Sequence, residues 1–140
     1  MRRLTRVLLT ASSAGNCWPF SRRHWASWAA RLRAAYEEVT LDYAKKRDPH
    51  SYPVQVIKFG PDLTLVALGS EVVVDYSLRL KKELAGDAAV WIAGYSNDYT
   101  GYIPSLRVLK EGGYEAQAGW AETVEERIVG KVHELHQRLK

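Results

Sequence analysis

Cysteine is nearly absent from this chain. The lone Cys17 excludes an intrachain disulfide framework and a cysteine-based zinc ribbon, and it leaves the cellular compartment unassigned. Long apolar runs are absent as well: none approaches the roughly 18 residues that a membrane-spanning helix requires. Acidic residues are missing from positions 1–33, which hold seven arginines (Arg2, Arg3, Arg6, Arg22, Arg23, Arg31 and Arg33). The formal net charge of +4 therefore belongs to the head of the chain alone. The remainder carries 13 basic and 16 acidic residues, a balance of −3, which argues against a nucleic-acid-binding body. Several catalytic signatures are missing too: there is no Gly-x-Ser-x-Gly elbow, Walker loop, dinucleotide fingerprint or His-Glu-x-x-His pair.

What is present is the composition of one ordinary globular domain, 140 residues with 46% apolar and 26% charged side chains. Residues 1–31 form a basic head rich in Arg, Ser and Trp. An Arg-rich, Ser-rich, acid-poor head fits a transit peptide, whereas Leu8-Leu9, interrupted by Arg6, is too short for a secretory core. Trp25, Trp28, Leu32 and Tyr36 share one helical face with arginines opposite. The head therefore also admits a membrane-surface helix making peripheral contact, an amphipathic helix covering the core, a poorly ordered leader or an unrelated start to the chain. Residues 34–44 either continue that helix or turn into a short extended piece, Glu38–Tyr43. Residues 45–53 read as a linker because Asp48-Pro49 and Tyr52-Pro53 push the residue before each proline out of helical space.

The body alternates strand and helix signals. Val54–Phe59 and Leu63–Leu68 are strand-like runs joined by the turn Gly60-Pro61-Asp62, which predicts an antiparallel hairpin. The second run is apolar almost throughout and is expected to be covered on both faces. Glu71–Leu84 reads as a helix capped by Ser70, with Val73, Ser77, Leu80 and Leu84 on one face and Gly86 as the stop, although Val72-Val73-Val74 also suits a strand. Ala88–Gly94 is the next strand, so the helix makes a parallel crossover. Pro104 fits the first position of a short helix, 105–111, ended by Gly112-Gly113. Thr123-x-x-Glu126 has the form of a capping box. It opens a last helix striped by Val124, Ile128, Val132, Leu135 and Leu139.

Two islands follow strand ends, where ligand groups gather in open α/β sheets. The first is Gly69-Ser70-Glu71. Glu71 reads either as a carboxylate favoured by a helix start or as a metal ligand or acid/base group. The second, Tyr95–Tyr102, packs Tyr95, Ser96, Asn97, Tyr99 and Tyr102 into eight residues. Its Asn97-Asp98 pair fits plain turn chemistry, but three tyrosines point to a lined site. His133 and His136 have a metal-compatible i, i+3 spacing that a solvent-exposed pair would share. His24 and His50 show no partner in the sequence.

Taken in order, four segments carry a resemblance: Val54-Gln55-Val56-Ile57-Lys58-Phe59-Gly60, Leu65-Val66-Ala67-Leu68-Gly69-Ser70-Glu71, Gly94–Pro104 and Glu111-Gly112-Gly113-Tyr114-Glu115. From about Leu32 onward the chain resembles the carboxyl-side part of the catalytic region of the neutral/alkaline, non-lysosomal ceramidase superfamily, nearest its uncharacterised bacterial members. The resemblance implies a zinc-dependent amide hydrolase acting on N-acylsphingosines, with zinc held by two early histidines, a Glu at a strand end and a Tyr of the Asn-x-Tyr-x-x-Tyr loop. It places these last two ligands on Glu71 and Tyr102, which are thereby the catalytic and metal residues, with Tyr99 beside Tyr102; the loop reading adds Tyr95, Ser96, Asn97 and Tyr99 as substrate-lining residues. Zinc there would lower the pKa of a bound water to about 7 and polarise the amide carbonyl. Only His24 and His50 precede Glu71, outside any such histidine motif, and the family's serine-bearing segment is missing.

The expectation is thus an α/β domain over residues 32–140: a small mixed sheet flanked by helices, part of a larger catalytic domain, carrying half a zinc site and inactive alone. A partner chain would supply the rest of the site, and the substrate is a lipid-like amide. The alternative is a non-catalytic α/β module that associates with a partner or with itself. A third reading makes the basic head a membrane or nucleic-acid arm.

Overall fold

The computed structural model describes residues 31–45, 48–86 and 88–140. The expected head, but for Arg31, lies outside them, as do Cys17, His24, Trp25 and Trp28. The first element is a strand, β1 (Leu32–Leu41), followed by β2 (His50–Phe59), β3 (Leu63–Leu68), a two-residue β4 (Glu71–Val72) and helix α1 (Val74–Glu83). Then come β5 (Ala89–Ala93), another two-residue strand β6 (Tyr102–Ile103), the short helix α2 (Leu106–Glu111) and the long helix α3 (Val124–Arg138).

The main sheet has the order β1-β2-β3-β5 and is mixed. β1/β2 and β2/β3 are antiparallel, and β3/β5 is parallel across the α1 crossover. The expected hairpin turns at Gly60, whose φ of 62° favours glycine. Both longer helices lie on one face of this sheet, α3 over β1 and β2 and α1 over β5. Alternation explains the choice of face. Tyr52, Val54 and Val56 of β2 and Val66 and Leu68 of β3 point to the helices and are fully buried. They meet Tyr76 and Leu80 of α1 and Val124, Ile128, Val132 and Leu135 of α3, which is the stripe expected from the sequence.

Several sequence expectations change. Leu32 and Tyr36 do not share a helical face; they belong to β1, whose ten residues are all in register with β2. Ladder pairing overrides local helical spacing there. The expected linker shortens because residues 50–53 extend β2, and proline's extended preference is compatible with that. Pro53 lies just beyond the β3 pairing, which ends at Val54↔Leu68, so its missing N–H breaks no bond to β3. Ser70 does not cap α1, because β4 intervenes and Val73 occupies the cap. Pro104 precedes the cap of α2; Ser105 holds it, accepting a hydrogen bond from the Val108 N–H at 3.2 Å. Thr123 precedes α3 in helical geometry without capping it, and Glu126 is drawn to Arg79 instead.

Arg79 ties the helices together. Its guanidinium reaches Glu83, Glu125 and Glu126, and these acceptors raise its pKa further. Glu125 also accepts from the Leu106 N–H, which joins α2 to the same cluster. The opposite face of the sheet differs: Trp91 is 62% exposed, and Leu32 and Tyr36 are also open to solvent. The expectation that β3 is covered on both faces therefore holds only in part, with Leu63 and Leu65 half-buried. Among the described residues, no helix is long and apolar enough to cross a membrane.

The two faces predict different mutational costs. Ile128→Ala should destabilise the domain by about 2–5 kcal/mol, whereas Trp91→Ala should shift it by no more than about 0.5 kcal/mol. Urea unfolding measures both; comparable losses would mean that the second face is packed.

Candidate functional site

The two islands meet. β4 and β6 form a two-stranded parallel ladder in which Glu71 is the register partner of Tyr102 and Val72 of Ile103. Registered residues project to the same side, so the carboxylate and the phenol, remote in sequence, leave the ladder together. The Glu71 N–H donates to the Gly101 carbonyl (3.0 Å) and the Val73 N–H to that of Ile103 (3.2 Å). Upstream, the Ser70 N–H donates to Asp98 O, and the Tyr95 N–H to Ser70 O, each at 2.8 Å. The Ser70 hydroxyl lies 2.9 Å from that of Thr100 and accepts from the Thr100 N–H at 2.8 Å. Ser70, expected as a helix cap, instead stitches the loop to the strand end.

The backbone here is strained. Among the described residues, the non-glycine residues with positive φ are Ser70 (55°), Tyr95 (54°) and Asn97 (68°), all in these islands. Such conformations cost on the order of 1–2 kcal/mol each for Ser70 and Tyr95, and less for Asn97, whose side chain tolerates this region. The Ser70 bonds above and the Ser96 N–H to Leu68 O bond (3.0 Å) hold the path in place. At Gly94 a side chain would be tight: a Cβ would lie 3.3 Å from a Val72 methyl, which would have to shift by a few tenths of an ångström.

Glu71 organises the phenols around it. Hydrogen bonding to its carboxylate pushes the Tyr95 hydroxyl up to about 12, and the same interaction raises Tyr102. Tyr95 and Tyr99 stack with ring centroids 6.1 Å apart, both largely exposed. The other two expected lining residues turn elsewhere. The Ser96 hydroxyl donates to Gly94 O at 3.2 Å, and the Asn97 amide to the Gln55 side chain at 3.5 Å.

Four neighbours, Tyr114, Glu115, His50 and Trp120, have no site role in the sequence expectation. Tyr114 packs edge-on against Tyr102, with centroids 5.4 Å apart. Glu115 follows it, close enough to raise Tyr102 further. His50 is not partnerless: its Nε2 lies 2.9 Å from Asp98 Oδ2, and its ring packs edge-on against Trp120. Trp120 in turn donates its indole N–H to Tyr102 O at 2.9 Å and stacks on Tyr43. Tyr114 and Glu115 carried a signal, since they stand in one of the segments that bear the family resemblance. The His50–Asp98 pair, 48 positions apart, had none.

The site offers a carboxylate ringed by phenols, a strong acceptor beside two oxygen donors. Catalytic zinc takes three protein ligands, and Glu71 with Tyr102 would offer only two oxygen donors. Among the described residues, no group of three His, Cys, Asp or Glu side chains is arranged to hold a metal. The His133–His136 pair makes no such centre either, since His133 is bound to Glu83 at 2.7 Å.

A scan against protein-family models gives no match, and a search of curated proteins gives none. Among solved structures, the chain is similar to one described as a ceramidase complexed with C2. The TM-score is 0.51 with 22% sequence identity, over 69% of this chain and 17% of that one. At that identity the likeness shows the fold: a small mixed α/β sheet of the kind found within a ceramidase. This chain spans less than a fifth of that protein's length.

The Glu71–phenol contact can be read directly. In Glu71→Gln the negative charge is lost, and Tyr95 should titrate near the ordinary value of about 10 instead of about 12. Ultraviolet difference absorbance follows the phenolate; an unchanged titration would separate Tyr95 from Glu71.

Proposed function

We propose that this chain carries half of a zinc-dependent amide-hydrolase site of the neutral ceramidase type. Glu71 and Tyr102 are its two metal ligands, and Tyr95 and Tyr99 line the approach of a lipid-like N-acyl amide, with Ser96 and Asn97 shaping the loop beneath them. The register pairing of Glu71 with Tyr102 carries this reading. It matches the pair of positions that the family resemblance assigns to the metal, and the likeness in fold to a ceramidase structure supports it. The remaining ligands come from outside the described residues, so the chain alone is inactive.

Calorimetric titration with zinc tests the reading. Binding should be weak, should fall below detection in Glu71→Ala, and in the wild type should perturb a phenol absorption that Tyr102→Phe removes. Tight one-to-one binding that survives Glu71→Ala, or hydrolysis of N-acylsphingosine that chelators leave intact, would overturn it.

A second reading rests on the open sheet face. Trp91, Leu32 and Tyr36 are exposed on the side away from the helices, and apolar patches of this kind mark association sites. A non-catalytic assembly module predicts concentration-dependent self-association by light scattering that Trp91→Glu reverses. A monomer at all concentrations, unchanged by that substitution, would count against self-association through this face.

A further inference from the structure

The end of the sheet remote from Glu71 holds a second feature. A crevice of about 800 Å³ opens between the C-terminal ends of α1 and α3 and the sheet end where β3 begins. Its wall includes Arg31, Arg33, Lys58, Lys140 and His136, with Glu83 as its one acidic side chain among the described residues. Glu83 is already bound to Arg79 and His133. Arg33 donates to the main-chain oxygen of Lys140 at 3.2 Å. Arg31, Lys58 and the Lys140 ammonium remain without a carboxylate partner among the described residues. Their crowding is visible at His136, whose pKa is lowered first by burial and then by Lys58 and Lys140.

Part of this charge answers the partial negative ends of two helices, which favour cations nearby. Three full charges exceed what those partial charges need, and a second observation lies beneath them. Thr64 lines the crevice at 1% exposure, and its Oγ1 is the one buried side-chain polar atom with no hydrogen-bond partner among the described residues. Native structures rarely leave such an atom unsatisfied without water or a ligand to meet it.

We propose that this crevice binds a phosphate-type oxyanion, free or as the headgroup of a larger phosphorylated molecule, with Arg31, Lys58 and Lys140 supplying charge and the Thr64 hydroxyl a hydrogen bond. The site is separate from Glu71, which follows the other end of β3, on the order of 20 Å along the strand. It stands whether or not the zinc reading holds.

Thermal melts of the full chain test it, with pyrophosphate set against chloride at equal ionic strength. Pyrophosphate should raise the melting temperature beyond chloride. The half-saturating concentration should rise roughly threefold to tenfold in Thr64→Val, the worth of one hydrogen bond, and further in Lys58→Ala. Thr64→Val removes a hydroxyl that bonds to nothing among the described residues, so it should leave the ligand-free melt nearly unchanged. A parallel arm uses phosphatidylcholine vesicles with and without phosphatidylglycerol. Binding to the anionic vesicles that both substitutions weaken would support the site and assign the oxyanion to a lipid headgroup. Equal melts in pyrophosphate and chloride together with no such vesicle binding, or binding of either kind that Thr64→Val leaves intact, would overturn the proposal.

Discussion

The two-residue ladder between β4 and β6 is the contact on which the site depends. So short a pairing has little stability of its own, and it is held by groups that belong to the core. Tyr52, fully buried, donates its hydroxyl to Gly69 O at 2.7 Å and fixes the strand end before Glu71. Tyr76, on the buried face of α1, donates to Pro104 O at 3.0 Å and fixes the chain just after Tyr102. Burial raises both phenols far above their ordinary range, so each is a neutral donor at any physiological pH. Trp120 secures the other edge through Tyr102 O. The geometry of the site is thereby a property of the hydrophobic core, although none of these three side chains is among the groups displayed at its surface.

The strained residues belong to the same construction. Gly60 and Gly101 take positive φ at little cost, since they carry no Cβ. Ser70, Tyr95 and Asn97 do so against it. Each is flanked or bonded by the stitching between the islands, and each side chain is directed by the unusual backbone: Ser70 to Thr100, Tyr95 to Glu71, Asn97 to Gln55. Strain that survives in an otherwise regular fold concentrates where side-chain direction matters. Here it turns a strand end into a presented carboxylate and phenol pair.

The legibility of each element in the sequence follows its periodicity. The stripe of α3 was readable because its five apolar residues keep a helical period over four turns, and all five are buried. β1 was not, because positions i and i+4 share a face in both a helix and a strand; Leu32 and Tyr36 satisfy both. Only pairing with β2 decides between them, and that is a long-range fact. β4 was ambiguous in the same way, since Val72-Val73-Val74 suits either state. The capping box at Thr123 failed because Arg79, 47 positions before Glu126, competes for its carboxylate. In the site, the Glu71–Tyr102 convergence was foreseeable from strand ends and resemblance. The His50–Asp98 contact joins residues 48 positions apart and leaves no local pattern.

One asymmetry connects the sheet to the proposed site. Antiparallel sheets commonly leave a face to solvent, but a parallel pair is ordinarily covered on both sides. β3 and β5 are parallel, and yet Trp91 of β5 points away from both helices and is 62% exposed. On α1, Val74 and Leu78 are also turned outward, each 65% exposed. The cluster at Glu71 is one-sided in a chemical sense: a carboxylate with phenols beside it and, among the described residues, no group of three His, Cys, Asp or Glu side chains arranged to hold a metal. A covering unit that packs on Trp91 and extends past the strand ends would meet both deficits at once, burying the parallel pair and completing the donors around Glu71. On the proposed half-site reading, one neighbour would answer both the open face and the short donor set, so the catalytic and the assembly readings are compatible.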